Sequence, residues 1–462
     1  MSSSSFEKFH KVHFTSLGCS KNLVDSQVML GILAKSGLTI TSSPEEAEVI
    51  IVNTCSFIQA AKEESIETIL DLADFKTQGN CKALVVSGCM PQRYSEEMEK
   101  GLAEVDLFIG TGEYSKVAIL LKALEEGKLE KKSHVEIPRY IHTELDPRIN
   151  TSPFYMAWLK ISEGCNRNCT FCIIPTIRGK LRSRSVESLV EEAKTLASKG
   201  VKELNIISQD LSDYGVDFSS STISSNTSTP LYDLLKGLEN VKGIEWIRLF
   251  YYYPEDLSEK VMELMAQSKK ICPYLDMPIQ HLSDGILKKM NRKTTGKEIL
   301  AKVERLRHWI PQIVLRTSVI VGFPGETEED FQQLLEGLEQ IKFDHLGIFR
   351  YSDEESTPAF KIFPKVEKDI IEQRFKRVFN LQKNVFKKKS KKYLGMILPV
   401  LIEGPHPETE LLVVGRCAFQ APDVDGQVII TDLAEKRIRP GDIALIRITQ
   451  VKDFDFIGEV CD

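Results

Sequence analysis

Three cysteines within eight residues, Cys165, Cys169 and Cys172 in the stretch SEGCNRNCTFCI, constrain this chain more than any other feature. They follow at once on residues 157–161, an apolar run that reads as a strand. Thiolates are soft ligands that suit iron–sulfur clusters and zinc. A structural zinc site is closed by a fourth ligand, and none lies in this segment. Three thiolates on a four-iron cluster leave one iron open to a substrate or cofactor.

A second set of cysteines is spread along the first ninety residues. Residues 12–19, 49–54 and 83–88 read as strands, and Cys19, Cys55 and Cys89 stand at their ends, thirty-six and thirty-four residues apart. Helix-like stretches at 22–36, stopped by Gly37, and at 60–72 lie between them, so each interval is close to one βαβ step. In an open parallel sheet the carboxyl ends of the strands share one edge, and cysteines in phase at three such ends can converge there. Taken singly, each is equally well read as a small buried hydrophobe.

The rest of the chain falls into recognisable blocks. Residues 129–152 are charged, irregular and punctuated by Pro138 and Pro147, as in a linker. Strands at 157–161, 203–208, 244–250, 313–321 and 345–349 then alternate with helices at 186–198, 231–238 and 328–341, the pattern of a parallel barrel or partial barrel. Residues 219–230 hold nine Ser or Thr and read as a surface loop. A long basic helix, 365–392, ends in KKKSKK; beyond Tyr393, short apolar runs separated by Gly, Pro and Asp indicate a small all-β barrel. The 462 residues are thus expected to form an α/β domain over 10–128, a partial (β/α) barrel over 150–390 and a β-barrel over 393–462. No run approaches the roughly 18 apolar residues of a membrane span, and MSSSSFEKFH has no apolar signal core, so a cytoplasmic protein is expected. In that compartment ten cysteines point to thiol or metal chemistry, not to a disulfide framework.

CxxxCxxC after the first barrel strand resembles the radical S-adenosylmethionine (SAM) superfamily. The resemblance implies a 4Fe-4S cluster on Cys165, Cys169 and Cys172 whose open iron chelates SAM, and whose electron splits it to a deoxyadenosyl radical. It also implies that the segment TSVIVGFPGETEED, with Gly322 and Gly325, approaches the adenine, and that Gln280, His281 and Arg292 fall where the family lines its pocket. For those side chains, a surface histidine and a solvated helix face are equally open readings. Glu326, Glu328 and Glu329 suit the positive end of a helix starting there. Arg178, Arg182 and Arg184 are candidates for the cofactor carboxylate or the substrate, and the run 250–253 for pocket lining or core; the sequence does not choose.

A three-cysteine α/β domain before such a barrel and a small β-barrel after it resemble the methylthiotransferases over nearly the whole chain. The resemblance implies a second 4Fe-4S cluster on Cys19, Cys55 and Cys89 that carries or donates sulfur, a second SAM as methyl donor, a low-potential electron donor, and a C-terminal TRAM domain. GCSKNLVDS, SQDLSDYGVD with Gln209 and Asp210, and GRCAFQAPDVDG look like the branch that acts on the β-carbon of an aspartate in small-subunit ribosomal protein number twelve. In the tRNA-modifying branch the Gln-Asp pair is typically Gln-Asn. Two departures from the family pattern are Gln27, where Glu is usual, and Ser185, where Pro usually follows Arg-Ser-Arg. Cys81, Cys272, Cys417 and Cys461 have no ligand spacing and default to packed thiols.

Charge is an independent check on the alternatives, in support only, since an acidic surface also serves solubility. The net charge is −6, and residues 393–462 hold six Lys or Arg against twelve Asp or Glu, so the imbalance sits in the C-terminal barrel. That is a poor reader of phosphate backbones and a plausible dock for a basic ribosomal protein. A tRNA adenosine methylthiotransferase is the second expectation; a non-catalytic iron–sulfur or zinc protein that binds ribosomes is a third, from another class.

Overall fold

The computed structural model describes residues 6–218, 229–433 and 437–461, so nearly all of the Ser/Thr-rich insert expected at 219–230 lies outside the described residues. The fold class expected from the sequence is the one observed. The first region runs β1 (Lys11–Ser16), α1 (Ser20–Lys35), β2 (Thr39–Thr41), β3 (Val49–Thr54), α2 (Gln59–Ala73), α3 (Phe75–Gln78), β4 (Ala83–Gly88), α4 (Cys89–Gly101), β5 (Leu107–Gly110), α5 (Val117–Glu125) and β6 (Ser133–His134). Its strands form a parallel sheet in the order β2-β1-β3-β4-β5-β6. The central strands β3 and β4 are buried at every residue, which is why they read as unbroken apolar runs without alternation.

The second region contains β7 (Met156–Lys160), β8 (Ser162–Glu163), α6 (Ile174–Arg178), β9 (Arg182–Ser183), α7 (Val186–Ser198), β10 (Glu203–Ile207), α8 (Pro230–Glu239), β11 (Trp246–Leu249), α9 (Glu259–Gln267), β12 (Ile271–Asp276), α10 (Asp284–Lys289), α11 (Gly296–Trp309), β13 (Val314–Val321), α12 (Glu328–Ile341), β14 (His345–Arg350) and α13 (Lys368–Lys389). Six of its strands form an open parallel sheet, β7-β10-β11-β12-β13-β14, the partial barrel. The sequence pattern passes over β12 because Pro273 interrupts ICPYLD; the ladder to β11 is irregular across that proline, which has no N–H to contribute. Ser185 takes over as the cap of α7, its hydroxyl accepting from the Ser188 N–H at 3.2 Å. Helix α12 starts with a capping box between Thr327 and Asp330.

The third region, β15 (Ile397–His406), β16 (Thr409–Cys417), β17 (Val428–Asp432), β18 (Ile443–Lys452) and β19 (Asp455–Val460), closes into a barrel in the order β15-β16-β17-β19-β18. It covers the amino-terminal mouth of the partial barrel. Arg416 binds Glu203, the first residue of β10, at 2.7 Å, and Asp425 accepts from the Tyr274 hydroxyl at 2.7 Å and lies 3.3 Å from Nδ1 of His345, the first residue of β14. The N-terminal domain covers the opposite, carboxyl-terminal mouth. Asp25 of α1 pairs with Lys160, the last residue of β7, while Lys62 and Arg93 reach Glu354 beyond β14 at 3.0 and 2.8 Å. Among the described residues no helix is long and apolar enough to cross a membrane.

Candidate functional site

Cys19, Cys55 and Cys89 lie at the carboxyl edge of the first sheet. Cys19 is the cap residue before α1, Cys55 follows β3, and Cys89 opens α4. Gly18 is required twice over: its φ is +85°, and a Cβ there would stand 2.7 Å from the Cys55 Cβ. Gly88, at φ +99°, would drive a Cβ to 2.2 Å from the Asn53 side chain. The Ser65 hydroxyl accepts from the Cys55 N–H at 3.2 Å and donates to the Cys55 carbonyl at 3.0 Å, fixing that turn.

The second triad sits on the loop after β7, at the carboxyl mouth of the partial barrel. The β8–β9 pairing closes its base, and the Cys165 N–H donates to the Gly179 carbonyl at 3.1 Å. Thr170 donates from its N–H to Met290 O at 3.1 Å and from its hydroxyl to Lys289 O at 2.8 Å; Asn291 donates to Asn168 O at 2.8 Å. The loop is thus held by α10 and the turn after it. The Cys165 sulfur accepts from the Arg167 N–H at 3.3 Å, and the Cys169 sulfur is 3.6 Å from the Tyr253 hydroxyl.

Burial raises these thiols: Cys89 and Cys172 to about 12 and Cys165 to about 11. They are therefore protonated at neutral pH until a metal displaces the proton, and ligation releases protons. Among the described residues no three His, Cys, Asp or Glu side chains converge on a point where one ion would sit. In a multi-iron cluster each thiolate binds a different iron, so three thiols need not converge on one point to hold such a cluster.

A buried charge network joins the two triads. Arg178, at the end of α6, donates to the Cys89 sulfur at 3.4 Å, to Asn22 at 3.1 Å and to Glu163 at 3.2 Å, and it pairs with Asp25. Lys160, fully buried, pairs with Asp25 and with Glu163 at 2.6 Å. Gln209 donates to the other Glu163 oxygen at 2.7 Å. Cys89 also packs with Ile173 and Ile177, so it touches the segment that follows Cys172. Burial opposes ionisation of Glu163, but Lys160 and Arg178 outweigh it and hold this carboxyl at about 2.

The other expected pocket residues divide. Asp210 is buried and accepts from Arg167 at 2.7 Å and from the Ser212 N–H at 2.9 Å, shaping the turn beside Cys165. Arg292 donates to Glu255 at 2.9 Å and lies 4.1 Å from the Tyr253 ring centroid. With Arg167, Cys169 and Tyr253 it lines a cleft of about 130 Å³. Gln280 adopts a left-handed backbone, φ +69°, and its N–H and carbonyl bridge to β13. Gly322 and Gly325 also have positive φ, but the N–H groups of Gly322 and Phe323 are taken by Glu326, and Lys289 donates to Gly325 O at 2.7 Å. His281 is fully buried, not a surface residue; its Nδ1 accepts from the Ser283 N–H at 2.9 Å. Arg184 is committed to Glu192 and Ser188. Phe250 and Tyr252 point into the core while Tyr251 and Tyr253 face the mouth, each of the two open readings holding for half of the run.

Sequence reasoning missed Lys21, Asp25, Lys160 and Glu163. The signal was present: a lysine closing the apolar strand MAWLK and an acid two residues before Cys165 are both out of place unless paired.

Residues 11–110 match the uncharacterised protein family UPF0004, residues 159–338 the radical SAM superfamily, and residues 394–461 the TRAM domain. Curated relatives include the ribosomal protein uS12 methylthiotransferases RimO of Pelobacter propionicus, 48% identical over 97% of this chain and 98% of that one, and of Geotalea uraniireducens, 47% identical over the same shares. RimO of Bdellovibrio bacteriovorus is 44% identical over 97% of both chains. Among solved structures, the radical SAM methyltransferase TsrM of Kitasatospora setae superposes with a TM-score of 0.55 at 13% identity over 76% of this chain and 77% of that one. The cobalamin-dependent radical SAM enzyme OxsB does so at 0.53 and 14%, over 82% and 56%. At such identity these two speak for the fold alone.

Proposed function

Because the chain belongs to the RimO family of ribosomal protein uS12 methylthiotransferases, we propose that it replaces a hydrogen on the β-carbon of a uS12 aspartate with a methylthio group. Its cofactors are two 4Fe-4S clusters and SAM. When bound, they supply the radical that takes the hydrogen and the sulfur and methyl that replace it. We assign Cys19, Cys55 and Cys89 to the sulfur-carrying cluster and Cys165, Cys169 and Cys172 to the radical-generating one.

The chain's own residues hold and shield these groups. Gly18 and Gly88 leave room for the close turns that carry Cys19 and Cys89, the β8–β9 hairpin and α10 fix the second loop, and the N-terminal domain covers the barrel mouth. Lys160 and Arg178 neutralise Asp25 and Glu163 between the triads. Radical abstraction needs no acid–base pair at the substrate carbon. The observation that carries this reading is the contact of Arg178, from the loop of one triad, with the Cys89 sulfur of the other, because sulfur transfer to a radical requires the two centres to share a chamber.

The acidic C-terminal barrel is the proposed dock for basic uS12, although part of its charge is spent internally: Glu403 and Asp425 pair with Arg416 and Arg316. Exposed Glu408 and Glu410, in and beside the β15–β16 turn, remain to face a partner. A ribosomal protein substrate supports the reading of a cytoplasmic reaction. Anaerobic enzyme with both clusters, reductant and SAM is expected to add a methylthio mass to uS12. An adduct on tRNA adenosine and none on uS12 would overturn the assignment.

A further inference from the structure

We propose that Lys21, lying over Tyr251, anchors the carboxylate of the substrate aspartate and is the residue by which this site selects an acidic side chain. The inference rests on the uS12 reading above. Burying a cation is costly unless it is paired, and the buried cations here obey that rule. Lys160 and Arg178 share Asp25 and Glu163, Arg184 has Glu192, Arg248 and Arg416 have Glu203, Arg292 has Glu255, and Arg374 has Glu326. Lys21 is only 9% exposed, yet among the described residues it has no carboxylate and no hydrogen-bond acceptor. Its Nζ instead sits 3.2 Å from the centroid of the Tyr251 ring. The cation–π contact uses none of the ammonium's hydrogen-bond donors, and Nζ keeps a face open to solvent even though the stem is buried. The ammonium is thus held in place with its donors unspent.

Its position matches the chemistry. Lys21 is two residues past Cys19, in the first turn of α1, and Tyr251 lies just past the end of β11 at the barrel's carboxyl mouth. Tyr251 has φ +61°, a left-handed conformation that is strained for an aromatic residue. The Leu211 N–H donates to the Tyr251 carbonyl at 3.0 Å and so helps to maintain it. In aspartate the β-carbon is bonded directly to the carboxyl carbon, so fixing the carboxylate on Lys21 fixes the reacting carbon beside the triad that delivers sulfur. The SAM carboxylate, by the family resemblance, would be held at the other triad.

The test compares holoenzyme acting on uS12 and on uS12 with its target Asp replaced by Asn, wild type against Lys21→Met and Lys21→Arg, with iron content measured on each. Wild type is expected to prefer Asp by at least about tenfold in kcat/KM, as for a charge-assisted hydrogen bond. Lys21→Met loses that preference, chiefly through KM, and Lys21→Arg keeps most of it. Equal use of Asp and Asn by the wild type, or an unchanged preference in Lys21→Met, overturns the proposal. So does a Lys21→Met holoenzyme that no longer consumes SAM in the absence of protein, since the lysine would then serve the cofactor. A wild type that modifies neither form would sink the substrate reading itself.

Discussion

At the scale of single residues, the proposed assignment gives the two triads separable duties. Cys55→Ala is expected to keep deoxyadenosine release and lose sulfur transfer, whereas Cys169→Ala loses both; equal loss in the two would contradict the division. Arg178 is a positioning residue. Arg178→Gln leaves Lys160 as the cation paired with both Asp25 and Glu163 and removes the guanidinium donor to Cys89. Breaking a buried pair costs about 3–5 kcal/mol, to be read as a lower urea midpoint, together with an altered electron-spin spectrum of the N-terminal cluster. Glu125 makes a pH-dependent clasp. Burial disfavours its charge, but the Lys122 ammonium and the N–H groups of Lys8 and Phe9 outweigh that and hold its carboxyl at about 2. A depressed carboxyl contributes stability above its ordinary range and loses it as pH falls from about 4.5 through about 2. Hydrogen exchange at residues 7–9, corrected for intrinsic rates, is therefore expected to rise over that window, and Glu125→Gln to raise it already at neutral pH. Cys165, Cys169 and Cys172 group visibly because they lie within eight residues, and Cys19, Cys55 and Cys89 because each stands near the carboxyl end of a strand of one parallel sheet. Lys160 and Glu163 stood out as charges in apolar surroundings, but their pairing with Asp25 and Arg178, like the contact of Lys21 with Tyr251, is made only by the fold.

At the scale of elements, α1 shows how packing reverses a propensity rule. A glycine inside a helix is normally improved by alanine, by about 1 kcal/mol. At Gly31 a Cβ would stand 2.2 Å from the Pro147 carbonyl oxygen, a backbone atom that cannot swing aside. Gly31→Ala is expected to destabilise by about 1–3 kcal/mol, seen as a lower thermal midpoint. The same helix face explains Gln27. Its amide donates to Asn150, Thr151 and Ser152 at 3.3, 3.1 and 3.4 Å, and its carbonyl oxygen accepts from Arg148 at 2.6 Å, strapping the linker to α1. Long periodic elements such as α12 and apolar strands such as β3 and β4 could be read from the sequence. β2 and β6, with three and two residues, and β12 with its internal proline carry too little pattern to be found without their neighbours.

At the scale of the whole molecule, the partial barrel is covered at both mouths, with the cysteines at one and the C-terminal barrel at the other. Asp425 is the chief plug of the second, with Tyr274, His345, Arg316 and the Ala421 N–H around it. Asp425→Ala is expected to cost about 2–4 kcal/mol and to speed tryptic cleavage at Lys391 and Lys392, while SAM cleavage at the far mouth persists. The opposed mouths also bear on how the protein is made. The domain that leaves the ribosome first holds Cys19, Cys55, Cys89 and the carboxylate of Asp25, but the two cations that balance this corner, Lys160 and Arg178, are translated later. Until then Asp25 lacks the two partners it has in the folded protein, and the corner that holds this triad is only partly built. Iron delivery is thereby biased to follow synthesis of the barrel's first loop instead of preceding it.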